Sequence, residues 1–251
     1  MIPRIDDAEA AARALARAES ILVITGAGMS AESGIPTFRG PDGLWEGRSV
    51  EDVATPEGFA RDPAGVWQWY SDRRRNCLQT EPHAGHVALA RLEHGHRAPV
   101  TIATQNIDGL HRRAGSGDVI ELHGSLFTTR CSKCSHQVPE DRAFYSEPPT
   151  CEYCGAPMRP GVVWFGEMLP ADRLLRAQAL SQECDVVLVV GTSAVVQPVA
   201  SLPLYARHSG ATLVEVNPQE TPLTPVCHFA FPHAAGEVLP QLVDRALAMV
   251  E

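Results

Sequence analysis

The chain has 251 residues, of which 44% are hydrophobic and 20% are charged, a composition typical of a globular protein and not of a disordered one. Its longest apolar runs, such as Val186–Val190, are far shorter than the ~18 residues of a membrane helix. The net charge of −9 argues against nucleic acid as a partner, because phosphate neutralisation needs a basic surface. We therefore expect neither a nucleic-acid partner nor a membrane partner.

The predicted elements alternate along the chain between helices and short apolar strands. Helices are predicted over 6–19, 84–94, 171–182 and 237–250, the last with Pro240 in its first turn. Strands are predicted over 21–25, 100–104, 119–122, 186–190 and 212–216. Uniformly apolar strands separated by helices indicate an α/β fold with a parallel sheet covered on both faces.

Two segments interrupt this alternation. Residues 40–82 are rich in Gly, Pro, Trp and Arg and contain one predicted helix near 64–78. Residues 125–161 show little apolar periodicity. We interpret both as parts of a smaller lobe, and assign about 1–39, 83–124 and 162–251 to the large lobe of a single domain that spans 1–251.

Polar residues collect just after four of the predicted strands, where ligands bind in open α/β sheets. The first of these turns, Gly26–Ala31, fits the pattern GxGxxA, which allows a backbone to approach a pyrophosphate. A tight strand-exit turn would explain the same pattern. A dehydrogenase would also need an acid at the next strand end, whereas residues 37–48 form a predicted loop, so a hydride-transfer function is disfavoured.

Cysteine spacing predicts a metal site. Seven cysteines are present, and four of them form Cys131-x-x-Cys134 and Cys151-x-x-Cys154. Four thiolates complete a tetrahedron around zinc and leave no position for water, which predicts one structural Zn²⁺. The N-terminus shows no secretory pattern, so we expect a reducing compartment, the cytoplasm, and no disulfide framework.

His123 is the candidate proton acceptor. It stands just past the short strand of the segment DVIELHG, near the predicted ends of the other strands. A neutral imidazole can accept a proton at pH 7. A lone histidine is more often a surface or structural residue, so this position alone does not decide between the two roles.

Taken together, these segments resemble the sirtuins, NAD-dependent protein lysine deacylases of which this chain looks like a bare catalytic core of bacterial type. The matching segments are GAGMSAESGIPTFRGPDGLW (26–45), TQNIDGLH (104–111), ELHG (121–124), the two cysteine pairs, PGVVWFGE (160–167), VGTS (190–193) and EVN (215–217).

The resemblance implies a Rossmann-like large lobe, a small zinc-and-helix lobe, and a cleft for NAD and an acyl-lysine protein or peptide. It implies that NAD is consumed: nicotinamide leaves, and the acyl oxygen attacks the ribose. His123 would then act as general base on a ribose hydroxyl, giving free lysine and O-acyl-ADP-ribose. The resemblance places His123 and Asn106 in the catalytic machinery.

The resemblance also assigns binding residues. The NAD contacts would be Gly26, Ala27, Gly28, Ser30, Phe38, Arg39, Trp45, Gln105, Asn106, Ile107, Asp108, Gly191, Thr192, Ser193, Asn217 and Ala235. The substrate contacts would be Tyr70, Arg73, Val163, Phe165 and Gly166. Without the resemblance, Asn106 and Asp108 would also fit ordinary turn residues.

Tyr70 and Arg73 match the Tyr-x-x-Arg motif of the sirtuin class that removes succinyl and malonyl groups. At i and i+3 they share a helix face, where an arginine fork and a tyrosine hydroxyl could bind a distal carboxylate. The alternative is a solvated basic stripe formed by Arg73, Arg74 and Arg75. Acetyl removal is expected as a second activity.

A bound peptide is expected to add as a strand between Gly161–Glu167 and Ser193–Val196. The alternative is that the valines of both segments are core residues. Other functions stay open: an NAD or ADP-ribose sensor, a protein ADP-ribosyltransferase and, less favoured, a dehydrogenase. We expect a monomer.

Overall fold

The computed structural model describes residues 5–37, 44–45 and 48–250. Within these residues the helices are α1 (Ile5–Arg17), α2 (Val50–Val53), α3 (Pro56–Arg61), α4 (Pro63–Gln79), α5 (Ala84–Gly95), α6 (Leu110–Arg113), α7 (Ala171–Glu183), α8 (Leu202–His208) and α9 (Ala235–Leu247). Short 3₁₀ helices cover Ala27–Ser33, Val199–Ser201 and Thr224–Val226.

The strands in the described part of the chain form three sheets. They are β1 (Ile21–Thr25), β2 (Leu44–Trp45), β3 (Arg48–Ser49), β4 (Val100–Thr104), β5 (Val119–Glu121), β6 (Gly124–Cys131), β7 (Gln137–Val138), β8 (Met158–Val162), β9 (Val186–Val190), β10 (Thr212–Val216) and β11 (Phe229–Phe231). The largest sheet has the order β11-β10-β9-β1-β4-β5, and every pairing in it is parallel. The predicted parallel α/β sheet is confirmed.

The order in which strands are added to this sheet reverses at β1. From β1 the chain adds β4 and β5 on one side and later β9, β10 and β11 on the other. In such sheets the crevice for a ligand opens beside the strand where the order reverses, at the carboxyl ends. The fold thus predicts a ligand site around the ends of β1, β4 and β9.

Both faces of the sheet are covered, as continuous apolar strands require. Ile21 and Val23 of β1 join one core with α1, α5 and α9, whereas Leu22 and Ile24 join a second core with α7 and α8. This division follows the period of two along a strand. The sheet is thereby held between two helical layers.

Outside this sheet, a smaller unit combines helices with strands. The antiparallel sheet β7-β6-β8 packs against α4, and Trp67, Tyr70, Leu126 and Trp164 belong to their shared core. The prediction of one helix in residues 40–82 was incomplete, since α2, α3 and α4 all lie there. No strand was predicted in 125–161, where apolar periodicity is weak, yet β6, β7 and β8 occupy it. The proposed lobe boundaries stay a prediction.

The sequence contains local start signals both for α3, which was missed, and for α4, which was predicted. Thr55 and Asp62 each accept a hydrogen bond from a first-turn amide, and a proline follows each of them. This is the pattern of an N-cap followed by Pro at the first helical position. The placement of Pro240 was also wrong, because α9 begins at Ala235 and the proline therefore lies in its second turn.

No helix in the part of the chain that the structure describes has both the length and the apolar character needed to cross a bilayer.

Candidate active site

The loops after β1, β4 and β9 contact one another at the carboxyl edge of the sheet. The Gly26 amide donates to the Val190 carbonyl at 3.1 Å, and the Gln105 amide donates to the Thr25 carbonyl at 2.9 Å. Gln105 also donates from Nε2 to Thr192 Oγ1 at 3.1 Å. Three segments that the sequence analysis assigned to NAD therefore form one surface.

Glycines allow this contact between loops. A β-carbon at Gly28 would lie 2.9 Å from Cα of Gly191, and one at Gly191 would lie 2.1 Å from the Met29 amide nitrogen. Gly191 also has a φ of +59°. The glycines are thus required for the two strand-exit loops to pack together, whether or not a pyrophosphate approaches them.

Asn106 and Asp108 are joined through Ser30. Asn106 Nδ2 donates to the Gly26 carbonyl at 2.9 Å and to Ser30 Oγ at 3.2 Å, and Ser30 Oγ donates to Asp108 Oδ2 at 2.8 Å. Burial raises the pKa of Asp108, although hydrogen bonds from Leu110 and Ser30 and the charges of Arg73 and Arg113 oppose the effect. The result is a buried polar pocket with fixed amide and carboxyl groups.

A second layer of hydrogen bonds lies below this pocket, and the sequence analysis missed it. His111 Nε2 contacts Thr25 Oγ1 at 2.9 Å, and that hydroxyl donates to Thr104 Oγ1 at 2.8 Å. Thr104 Oγ1 accepts the Asn106 amide at 3.0 Å. His111 closes the matched segment TQNIDGLH, which was the available signal.

His123 lies beside the same loops with a defined tautomer. Its Nδ1 is 3.0 Å from the Gln105 carbonyl oxygen. Because a carbonyl only accepts, Nδ1 carries the proton and Nε2 keeps its lone pair. Burial lowers the pKa of His123, and the bond to Gln105 offsets only part of this, so the ring is neutral at pH 7. The arrangement suits a general base that acts through Nε2.

Tyr70 and Arg73 lie in the core next to this pocket. They are only 1% and 5% exposed, and Arg74 is fully buried. Arg74 is held by Leu126, Ala143 and Thr129, so the proposed solvated stripe is wrong. Only Arg75 is exposed, paired with Asp72 at 2.6 Å. The Arg73 guanidinium stacks on Trp69, and its charge acts on Asp108.

The segments expected to hold a peptide are not strands, apart from the end of β8. Val162 is core, whereas Val195 and Val196 are 48% and 37% exposed. The core alternative therefore holds for Val162, whereas Val163 is half-buried and the valines of the second segment are exposed. The Val163 amide donates to the His123 carbonyl at 2.8 Å, and Phe165 and Gly166 are exposed. Peptide binding between the two segments stays a prediction.

The other predicted NAD contacts have varied surroundings. The Ile107 carbonyl accepts from Leu126 at 2.9 Å, Ser193 is exposed, and Asn217 Nδ2 donates to the Gln219 carbonyl at 2.6 Å. Ala27 opens the 3₁₀ helix after β1, and Ala235 opens α9. Phe38 and Arg39 lie outside the described residues, as does the side chain of Trp45.

The four predicted zinc ligands form one cluster. Their sulfur atoms lie within 4.8 Å of one another, with Cys131–Cys154 at 3.4 Å and Cys134–Cys151 at 3.7 Å. Bonds of ~2.3 Å to a tetrahedral zinc place sulfurs ~3.8 Å apart. The amides of Lys133 and Cys134 also donate to Cys131 Sγ, which favours a thiolate. The cluster fits one structural zinc ion.

Comparison with known proteins agrees with this site. The sequence model of the Sir2 family matches residues 26–198. The "NAD-dependent protein deacylase 1" of Archaeoglobus fulgidus is 49% identical over 234 residues, which cover 92% of this chain and 94% of that protein. The "NAD-dependent protein deacylase" of Aquifex aeolicus is 49% identical over 226 residues, 90% and 94% of the two chains.

Solved structures of Sir2 proteins also match this chain. A structure described as a Sir2 homolog–NAD complex matches with a TM-score of 0.92 at 45% identity, covering 100% of this chain and 97% of the other. A Sir2–p53 peptide–NAD+ structure matches with a TM-score of 0.79 at 33% identity, covering 92% and 95%. The fold and site define a sirtuin-type enzyme. The chain belongs to the Sir2 family, and the predicted resemblance is confirmed.

Proposed function

We propose that the protein is an NAD-dependent lysine deacylase that removes succinyl and malonyl groups, with acetyl removal as a second activity, and releases nicotinamide and O-acyl-ADP-ribose. The observation that carries the proposal is that two sets of groups adjoin the loop Gln105–Asp108. One is His123, whose Nδ1 is hydrogen-bonded to the Gln105 carbonyl and whose Nε2 is unprotonated. The other is Arg73, buried beside Tyr70 and within electrostatic reach of Asp108.

The residues of the pocket fit bound NAD. The phosphates would face Ala27, Gly28 and Thr192, and the nicotinamide amide would meet Asn106, Ile107 and Asp108. Bound NAD would supply the ribose carbon that accepts the acyl oxygen. The Ser30 and Gly26 hydrogen bonds hold the Asn106 amide in one orientation, so this part of the pocket is organised before a ligand binds.

His123 would take a proton from a ribose hydroxyl. Its Nδ1–H bond to Gln105 fixes the ring, and the low pKa that burial gives it keeps Nε2 unprotonated. Because the His123 carbonyl also accepts the Val163 amide, the base and the proposed peptide segment are linked through one hydrogen bond. The base would thereby lie between the NAD loops and the acyl-lysine.

The acyl pocket would be lined by Tyr70 and Arg73. Arginine can bind a carboxylate with two hydrogen bonds, and its planar group keeps its charge when buried. Burial raises the pKa of Tyr70 to about 12, so its hydroxyl stays a donor at neutral pH. A distal carboxylate would find a cation and a neutral donor here, whereas an acetyl group would use neither.

The test is to incubate the protein with NAD and matched acetyl, succinyl and malonyl peptides and to follow products by mass spectrometry. We expect NAD-dependent loss of all three acyl groups, with higher kcat/KM for the acidic ones. Binding of NAD without nicotinamide release would instead indicate a sensor. Transfer of labelled ADP-ribose to protein, without a small acyl product, would indicate an ADP-ribosyltransferase.

Replacement of Arg73 tests the acyl preference. Arg73→Met should raise the KM for succinyl peptides at least about tenfold, since charge-assisted hydrogen bonds are lost, and should barely change deacetylation. Arg75→Met is the matched control, because Arg75 lies two residues away on α4 but is exposed. Equal losses on acetyl and succinyl peptides would show that Arg73 supports the fold and does not read the carboxylate.

A further inference from the structure

Trp164 is held in the small unit by a buried ionic cluster that no part of the proposed reaction uses. The Arg159 guanidinium lies over the Trp164 ring, 3.3 Å from its centroid. Glu167 binds Arg159 through both carboxylate oxygens, at 2.5 and 3.1 Å, and accepts the Trp164 amide at 2.8 Å. Arg130 adds a bond to Glu167 at 3.0 Å.

This cluster fixes both the backbone and the ring of Trp164. Arg159 and Trp164 are 6% and 3% exposed. The bonds of Arg159 to Glu167 lower the pKa of that carboxyl even though burial raises it, so Glu167 is ionised at neutral pH. A cation, Arg159, therefore holds the face of the indole, and a carboxylate, Glu167, holds the backbone amide of Trp164.

The edge of the indole contacts Tyr70. Trp164 Nε1 donates to the Tyr70 hydroxyl oxygen at 2.9 Å, across 94 positions of the chain. Among the described residues this is the hydroxyl's one hydrogen bond. An indole N–H can only donate, so the tyrosine oxygen is the acceptor and its own proton is available to another acceptor.

We propose that Trp164 is a positioning residue for acidic acyl groups: it orients the Tyr70 hydroxyl so that its proton is donated to the distal carboxylate of the substrate, and Arg159 and Glu167 hold the indole in place. This inference rests on the proposed function, because it requires that Tyr70 and Arg73 line the acyl pocket. It adds Trp164, Arg159 and Glu167 to the residues that determine specificity.

The orientation matters only for some substrates. A succinyl or malonyl group presents a carboxylate that the Tyr70 proton can reach, whereas an acetyl group ends in a methyl. Loss of the indole donor leaves the hydroxyl free to rotate, which weakens one hydrogen bond to the carboxylate. The predicted effect is selective for acidic acyl chains.

The experiment is a double-mutant cycle on KM. Trp164→Phe keeps an aromatic ring and removes the donor. It should raise the KM for succinyl peptides about three- to tenfold and leave the KM for acetyl peptides within twofold. On a Tyr70→Phe background, Trp164→Phe should cause no further change in the succinyl KM, because the hydroxyl it orients is absent.

A second variant, Glu167→Gln, keeps the side-chain shape and weakens the hold on Arg159. It should raise the succinyl KM in the same direction, and it tests the proposal if Trp164→Phe does not fold. Acetyl kcat/KM and the melting temperature report on folding in each case. Equal effects on both acyl groups, or additive effects with Tyr70→Phe, would overturn the proposal.

Failure of the proposed function can be distinguished from failure of the positioning role of Trp164. If Arg73→Met leaves the succinyl KM unchanged, the acyl pocket is elsewhere, and both the proposed specificity and the role of Trp164 are overturned. If Arg73→Met is selective but Trp164→Phe is not, only the positioning role is wrong.

Discussion

At the scale of single residues, His123 illustrates how one backbone carbonyl fixes the tautomer of a histidine. The Gln105 oxygen occupies Nδ1, so proton uptake is confined to Nε2. The same loop carries Asn106, whose side chain bonds Gly26 and Ser30. His123 and the pocket are thus held by two consecutive residues, Gln105 and Asn106.

Loss of the imidazole should separate two steps of the reaction. We expect His123→Ala to lower deacylation by at least about 100-fold, the usual contribution of a general base, while nicotinamide exchange continues, because the base acts after nicotinamide has left. Peptide mass spectrometry and exchange of labelled nicotinamide measure the two steps. His208→Ala, at an exposed histidine, serves as the control. Near-normal deacylation by His123→Ala would show that this histidine is structural.

At the scale of elements, the strand β6 links the cysteine cluster to α4. The strand β6 carries Cys131 at its end, and buried Arg74 of α4 bonds the Leu126 carbonyl and Thr129 of the same strand. The apolar core around the cysteines is small, with Ala156 and Met158 as its other members. Zinc would therefore supply most of the order of the segments around the cysteines.

Removal of one zinc ligand should disorder the segments around the cysteines, and this disorder should reach the active site through α4. We expect Cys151→Ala to lose stoichiometric zinc, to melt at a lower temperature, and to be insoluble or inactive. Metal analysis, a thermal melt and the acyl-peptide assay test this. Cys227→Ala removes a half-buried cysteine outside the cluster and should keep both zinc and activity. Full activity after stoichiometric zinc loss would contradict a structural role.

The elements that could be predicted are those whose stability is encoded locally. The predominantly apolar runs of β1, β4, β9 and β10 indicated their bounds, because both faces of each strand are buried. The strand β8 escaped prediction because its sequence, MRPGV, contains a charge, a proline and a glycine. Its Arg159 is acceptable there only because Glu167 neutralises it.

The candidate site shows the same division between features encoded locally and features that depend on long-range contacts. Strand-end loops and cysteine spacing are visible in the sequence, and so the NAD pocket and the zinc cluster were predicted. The bond between Trp164 and Tyr70, like that between His111 and Thr25, joins residues 94 and 86 positions apart. Such contacts depend on how the units pack, and no local pattern encodes them.

At the scale of the whole molecule, a row of histidines lies between the sheet and its helices. His83, His86 and His111 follow one another with ring centroids 4.4 and 4.9 Å apart. His86 is fully buried, and neither of its ring nitrogens has a hydrogen-bond partner among the described residues. Burial, together with charge on the neighbouring rings, lowers the pKa of His86 to about 2 and that of His111 to about 3.

His86 and His111 should make the free energy of unfolding fall in mild acid. The folded state holds them neutral, while the unfolded chain protonates them near pH ~6.5, so their contribution is complete above that pH and is lost as pH falls toward the folded pKa values. For each of these two histidines, the unfolding free energy of the protein falls by about 1.4 kcal/mol per pH unit, or by about 2 kcal/mol between pH 6.5 and 5. Urea unfolding at pH 7 and pH 5 measures the drop. In His86→Leu the drop should be smaller by about 2 kcal/mol, since a group that cannot titrate is indifferent to pH, whereas in His208→Leu, at an exposed site, it should match the wild type. The same drop in His86→Leu as in the wild type would mean that His86 is already protonated in the folded protein.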